Sequence, residues 1–215
     1  MTVGYGGGDE TAARIVARIE EAGRRAVAVG EDLRDPAAVE EMVTGVEGSL
    51  GPVDVLVSNA GIVPQGELEE ISVEDWDRVM EVNLRPAFLL AKRVVPGMRE
   101  REWSRIVFVS SVAAFTGGIV GPYYTASKAA LIGLARSLAA SLAPHGVTAN
   151  AVAPALIEGG GTLPGSEEER HGLAENVPVG RLGTAEEAAR AVVSLVENPF
   201  VTAQTLSVDG GMHPR

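Results

Sequence analysis

The chain has 215 residues and a formal net charge of −11; the length suits one domain, and the charge repels a phosphate backbone, which excludes nucleic-acid binding. It contains no cysteine, which removes disulfides, thiolate zinc sites and cysteine nucleophiles. No apolar run approaches the ~20 residues that span a bilayer and no signal peptide is visible, so a cytoplasmic protein without a membrane partner is expected.

Hydrophobic residues make up 46% of the chain but aromatics only 4%, so the core rests on Ala, Val, Leu and Ile. Thr2–Tyr5 reads as the first strand, followed by a helix over Asp9–Ala22 that Gly23 stops. Ala26–Gly30 is the next strand. Asp35 then caps a helix that opens on Pro36 and runs to about Ser49. After the strand Val53–Ser58, Ser72 begins a helix with a capping-box pattern in which Asp75 takes the place of Glu or Gln. That helix is predicted to run to about Val95, with a bend before Pro86. The strand Ile106–Ser110, the Ala-rich helix Tyr123–Leu142 and the strand Thr148–Val152 come next. Thr184–Val196 is a helix with acids in its first turn, and Thr205–Val208 is the last strand.

Strands alternating with longer amphipathic stretches predict an α/β fold of βα units with a parallel sheet. Several strands are near-continuous apolar runs, as expected where both faces are covered. No repeat or linker divides residues 1–215, so one domain is expected. The segment Leu156–Pro178, rich in Gly, Glu and Pro, is read as a substrate lid, because long loops inside compact domains are usually functional. The alternative is a solvated excursion with one short helix.

Chemistry concentrates between Ile106 and Lys128. The strand delivers Ser110 and Ser111 at its C-terminal end, the edge where open α/β sheets bind ligands. Tyr124 and Lys128 stand four apart at the start of a helix, on one face. A phenol titrates near ~10, and a neighbouring ammonium is expected to lower that value. A tyrosine tuned this way can pass a proton to or from a substrate oxygen, with the Ser111 hydroxyl bonded to the same oxygen. A Tyr-x-x-x-Lys pair is weak by itself; its combination with Ser111 after an apolar strand is far more specific. His145, His171 and His213 have no metal-like spacing, and no metal is expected.

Ser111, Tyr124 and Lys128 resemble the catalytic residues of the short-chain dehydrogenase/reductase family. Ser58-Asn59-Ala60-Gly61 resembles the family's Asn-Asn-Ala-Gly motif, with Ser for the first Asn. Asn83 resembles the helix asparagine that holds a water in the proton relay to the lysine. Asn150-Ala-Val-Ala-Pro154 resembles the strand before the nicotinamide contact, and Asp32-Leu33 the acidic dipeptide that touches the adenine. Gln204 to Gly211 resembles the last strand of members like the β-ketoacyl-carrier-protein reductases. The likeness covers nearly the whole chain. Ala155 and Ala203 stand where the family has glycine.

The resemblance implies a Rossmann-like doubly wound sheet and hydride transfer between a nicotinamide and a carbonyl or secondary alcohol, possible substrates including a 3-oxoacyl-carrier-protein thioester. It implies Asn83, Ser111, Tyr124 and Lys128 as catalytic residues. Tyr5, Asp32, Leu33, Asn59, Ala60, Gly61, Pro154 and Ile157 are implied at the cofactor, together with Tyr124 and Lys128. The family's opening strand, glycine-rich pyrophosphate turn and helix have no counterpart here. Gly4-Tyr-Gly-Gly-Gly8 is rejected as a substitute, because Asp9 would face the pyrophosphate and only one helix separates Asp32 from Asn59. Thr2–Tyr5 is then the family's second strand, with Gly6–Gly8 beside the adenosine ribose, and a gap is expected in the sheet. A start codon placed too late is the expected reason, with a true truncation as the alternative. No acid follows Tyr5 directly to repel a 2′-phosphate, which favours NADP(H) over NAD(H). A non-catalytic relative supporting an active partner, and a fragment without stable function, are the competing readings. The family likeness also implies a homodimer or homotetramer built on the helices around 72–95 and 123–142 and on the last strand and helix.

Overall fold

The computed structural model describes every residue except Gly7, Gly8, Gly118, Ile119, 160–162, Pro164, Gly165, Pro214 and Arg215, and every described side chain except those of Asp9 and Glu167. Strands and helices alternate along it: β1 (Thr2–Gly4), α1 (Asp9–Glu21), β2 (Val27–Val29), α2 (Pro36–Leu50) and β3 (Val55–Ser58). They continue as α3 (Val73–Asn83), α4 (Arg85–Arg101), β4 (Ser104–Val109), α5 (Ala113–Thr116), α6 (Pro122–Leu142), β5 (Val147–Pro154), α7 (Glu167–Glu175), α8 (Ala185–Glu197) and β6 (Thr205–Val208). All strand pairs are parallel, so the active edge expected of an α/β sheet is a single one.

Local chemistry sets the helix ends. The Asp35 carboxylate accepts from the Ala37 N–H at 2.9 Å, with Pro36 in the first turn of α2. Ser72 accepts from the Asp75 N–H at 3.0 Å to start α3. Thr184 and Glu187 form a reciprocal capping box on α8. The helix predicted over 72–95 is in fact two: α3 ends at Asn83, α4 begins at Arg85, and Leu84 between them is the cap of both. Pro86 explains the break, since it has no N–H to continue the ladder of α3 and fits the first turn of a new helix. The second helix also outruns the expected end, passing through Pro96 to Arg101.

The strands form two groups. β3, β4, β5 and β6 make one four-stranded sheet in that order, and β1 pairs only with β2. A gap was expected in the sheet, and among the described residues no strand pair joins these two groups. On one face of the larger sheet, Leu56, Ile106 and Phe108 pack with Met98 of α4 and Leu131 and Leu142 of α6. On the other, Val107 and Val152 pack under Leu195 of α8. β5 is buried over nearly its whole length, in keeping with its mostly apolar sequence, and Asn150 within it donates to the Val201 carbonyl and accepts the Gln204 N–H. β3 is covered on one face only: Leu56 is buried, while Val55 and Val57 are 38% and 43% exposed. Among the described residues no helix is long and apolar enough to cross a membrane.

Candidate active site

Parallel β3, β4 and β5 end at one edge, and each delivers part of the site there. β3 hands the chain to Asn59, Ala60 and Gly61, all exposed at that edge. β4 ends in Ser110 and Ser111. β5 ends at Pro154, whose carbonyl accepts the Val112 N–H at 3.1 Å. The first turns of α6 cross this edge and bring Tyr124 and Lys128 with them.

Two bonds fix α6 to the end of β4. The Ser110 hydroxyl donates to the Lys128 carbonyl at 2.7 Å, and the Lys128 ammonium donates to the Val109 carbonyl at 2.9 Å. Lys128 is 4% exposed. Burial disfavours its charged form and lowers its pKa from 10.5 to about 8. An ammonium has three donors, and Val109 is its acceptor among the described residues. Donors therefore remain for a ligand that brings its own oxygens.

Tyr124 is buried, and the Ser111 hydroxyl acts on its phenol to favour the ionised form. The same hydroxyl accepts the Ala113 N–H at 3.2 Å and lies 3.5 Å from the Pro154 carbonyl, a long and weak contact. The phenol does not have the lowered pKa that the sequence suggested. Burial raises it above its ordinary value, and the Ser111 bond offsets part of the rise. Lys128 Nζ lies 5.7 Å from the centroid of the Tyr124 ring and turns to the Val109 carbonyl, so loss of water outweighs its charge here.

Asn83, at the end of α3, is 2% exposed. Its Oδ1 accepts the Ile62 N–H at 2.8 Å, and its Nδ2 donates to the Ile62 carbonyl at 3.0 Å and to Ser127 Oγ at 3.1 Å. Both amide hydrogens are thus spent on protein, and only one lone pair of Oδ1 is left for a water. The Asn83 amide and the Lys128 ammonium both lie close to Gly61: a methyl built there would sit 3.3 Å from Asn83 Oδ1 and from Lys128 Nζ. Ser127, which the sequence reading passed over, is fully buried and donates to the Tyr124 carbonyl at 2.7 Å. It joins the asparagine to the catalytic helix, and its place in Tyr124-Thr-Ala-Ser-Lys128 was the available signal.

The remaining candidates lie along the same edge and its flank. The Tyr5 ring covers Gly30, where a Cβ would come within 2.6 Å of it. Asp32 is held by Arg34 through a 2.7 Å ion pair, which lowers its pKa to about 2. Leu33 packs partly against the core. Ile157 bridges Gly183, with the Gly183 N–H on the Leu156 carbonyl at 2.9 Å. In the segment read as a lid, Leu156–Pro178, α7 is a short helix, and just beyond the segment the Val179 N–H donates to the Gly210 carbonyl at 3.2 Å. Gly7 and Gly8, expected beside the ribose, lie outside the described residues. Among the described residues no cluster of His, Asp and Glu could hold a metal ion.

The donor set suits the nicotinamide-ribose end of a dinucleotide: a buried ammonium with spare donors, an adjacent phenol and serine, and a glycine where a side chain would block the approach. The arrangement can bind a carbonyl oxygen between Ser111 and Tyr124 and exchange a proton with it.

Comparison with known proteins shows the family. A family model described as Enoyl-(Acyl carrier protein) reductase matches residues 3–213. The 3-oxoacyl-(acyl-carrier-protein) reductase FabG of Escherichia coli (strain K12) is 39% identical over 184 residues, 85% of this chain and 75% of that protein. Nodulation protein G of Azospirillum brasilense is 36% identical over 206 residues, 95% of this chain and 84% of that protein. Among solved structures, a gluconate 5-dehydrogenase from Burkholderia cenocepacia J2315, in complex with NADP and tartrate, superposes with a TM-score of 0.88 at 30% identity. That match covers 98% of this chain and 84% of the other.

Proposed function

The chain belongs to the short-chain dehydrogenase/reductase family, and from that premise we propose that it is an NADP(H)-dependent oxidoreductase that reduces a carbonyl or oxidises a secondary alcohol. The observation that carries the proposal is the convergence of Ser111, Tyr124, Lys128 and Asn83 at the C-terminal edge of β3 and β4. The residues at that edge would hold NADPH, whose nicotinamide would supply hydride to the carbonyl carbon. Everything else is the work of the chain's own side chains.

The carbonyl oxygen sits between the Ser111 hydroxyl and the Tyr124 phenol. Ser111 donates to it and fixes its direction. Tyr124 gives the proton as charge develops on the oxygen. A phenol held above its ordinary pKa is fully protonated at neutral pH, the state that a proton donor needs. Lys128, with its donors left free by Val109, holds the ribose hydroxyls and carries positive charge beside the phenolate that forms. Asn83 Oδ1 and the Lys128 ammonium both lie beside Gly61, and a water bridging these two groups returns the proton to Tyr124. Tyr5, Asp32 and Leu33 hold the adenosine end; Asn59, Ala60, Gly61, Pro154 and Ile157 border the nicotinamide. Residues 156–178 cover the substrate.

For the substrate we propose a 3-oxoacyl thioester, on the strength of the names of several relatives. A cytoplasmic homodimer or homotetramer completes the proposal. Trp76 of α3 and Phe88 of α4, 39% and 50% exposed, support assembly through those helices. The test is fluorescence titration with NADPH and NADH, followed by NADPH oxidation with a panel of 3-oxoacyl thioesters, keto acids and simple ketones. Tighter NADPH binding and carbonyl-dependent oxidation are expected. A second reading, a non-catalytic relative, draws on the separation of the β1–β2 pair from the larger sheet. Under it, the protein binds no dinucleotide even at millimolar concentration.

A further inference from the structure

Tyr123 and Tyr124 are neighbours on the first turn of α6, and both are buried. The mechanism uses only Tyr124. The Tyr123 phenol instead donates to the Gln65 carbonyl at 2.9 Å, across 58 positions of sequence. Its ring is folded back over Gly121, where a Cβ would lie 2.0 Å from Cε1. Its hydroxyl lies against Gly66, where a Cβ would stand 3.4 Å away. Two glycines thus make room for this ring at its two ends.

Gln65 belongs to the segment Ile62–Glu67, which leaves Gly61 and runs past the site without helix or strand. One tether of the segment is Asn83, which grips the Ile62 N–H and carbonyl. Tyr123 is the other. Between them, Ile62 and Val63 pack on a cluster that contains Tyr124 itself, with Val79, Ala113 and Tyr123. Movement of this segment therefore changes the surface next to the reacting phenol. A tether three residues beyond Ile62 decides whether that surface is rigid.

We propose that Tyr123 is a positioning residue that sets substrate specificity: it holds Ile62–Glu67 as a fixed wall beside Tyr124, against which the larger substituent of the carbonyl packs. This rests on the oxidoreductase reading above and adds to it the wall that discriminates among carbonyls.

The test compares Tyr123→Phe with the wild-type protein. The ring stays over Gly121, and only the donor is lost. A typical hydrogen bond is worth roughly a 2- to 12-fold change in an equilibrium. Amide exchange in residues 62–67 is expected to speed up by about that factor, with β4 and β5 unchanged. KM for bulky carbonyls rises on the same order, while KM for a small ketone, kcat and the pH profile stay as they are. Unchanged exchange in residues 62–67 overturns the proposal. So does faster exchange with no change in KM, because the bond is then only structural. Absence of carbonyl-dependent turnover in the wild type overturns the oxidoreductase reading and this proposal with it; it is told apart because it needs no substitution.

Discussion

Lys128→Met replaces a buried ammonium with an apolar chain of similar length, and the structure sets the size of the effect. Lys128 is 4% exposed, and its pKa falls from 10.5 to about 8 on burial. That difference corresponds to about 3 kcal/mol of preference for the neutral form in the folded protein. The substitution also leaves the Val109 carbonyl without its donor, a cost of about 1–3 kcal/mol. The variant is therefore expected to be more stable at pH 7 by at most about 2 kcal/mol. The pH dependence has a definite sign. Above 10.5 the lysine is neutral in folded and unfolded chains alike, and the advantage of methionine vanishes. As pH falls from 10.5 to 8 the unfolded chain takes up a proton that the folded one does not, so the advantage grows; below 8 it is complete. Urea unfolding of both proteins between pH 7 and 10.5 measures it. A variant less stable at pH 7, or a difference that does not shrink towards pH 10.5, refutes the reasoning. The same variant is expected to lose turnover, a stability–activity trade-off.

Two further expectations concern the bonds around the site. Ser111→Ala removes the hydrogen bond that holds the Tyr124 phenol down, so its ionisation midpoint moves upward; tyrosinate absorbance against pH, with Tyr124→Phe subtracted to isolate this phenol, reads the shift. Ser127→Ala leaves an Asn83 N–H without its partner in a buried place, at a cost of about 1–3 kcal/mol. Chemical denaturation measures that loss, and an unchanged midpoint counts against the clamp.

The sheet and the reactive trio were legible because their signals are local. Apolar runs mark β4 and β5, and four residues of helix put Tyr124 and Lys128 on one face. Two things were not local. The bonds from Ser127 to Asn83 and from Tyr123 to Gln65 span 44 and 58 positions, so nothing near either residue announces its partner. The balance on the Tyr124 phenol was misjudged for a related reason. Spacing shows that an ammonium is near, but only coordinates show that it faces the Val109 carbonyl and that burial wins. The break at Leu84 was half visible: Pro86 marked a bend, and its fit to a helix N-terminus makes the bend a new start. The separation of the β1–β2 pair from the larger sheet is in line with the missing unit inferred from the single helix between Asp32 and Asn59.

The central claim is that the Tyr124 phenol protonates a carbonyl oxygen beside bound NADPH. Turnover of Tyr124→Phe at saturating NADPH tests it most directly. A fall of roughly 10²- to 10⁴-fold in kcat, with NADPH affinity near that of the wild type, is the predicted result; full activity in the variant contradicts it.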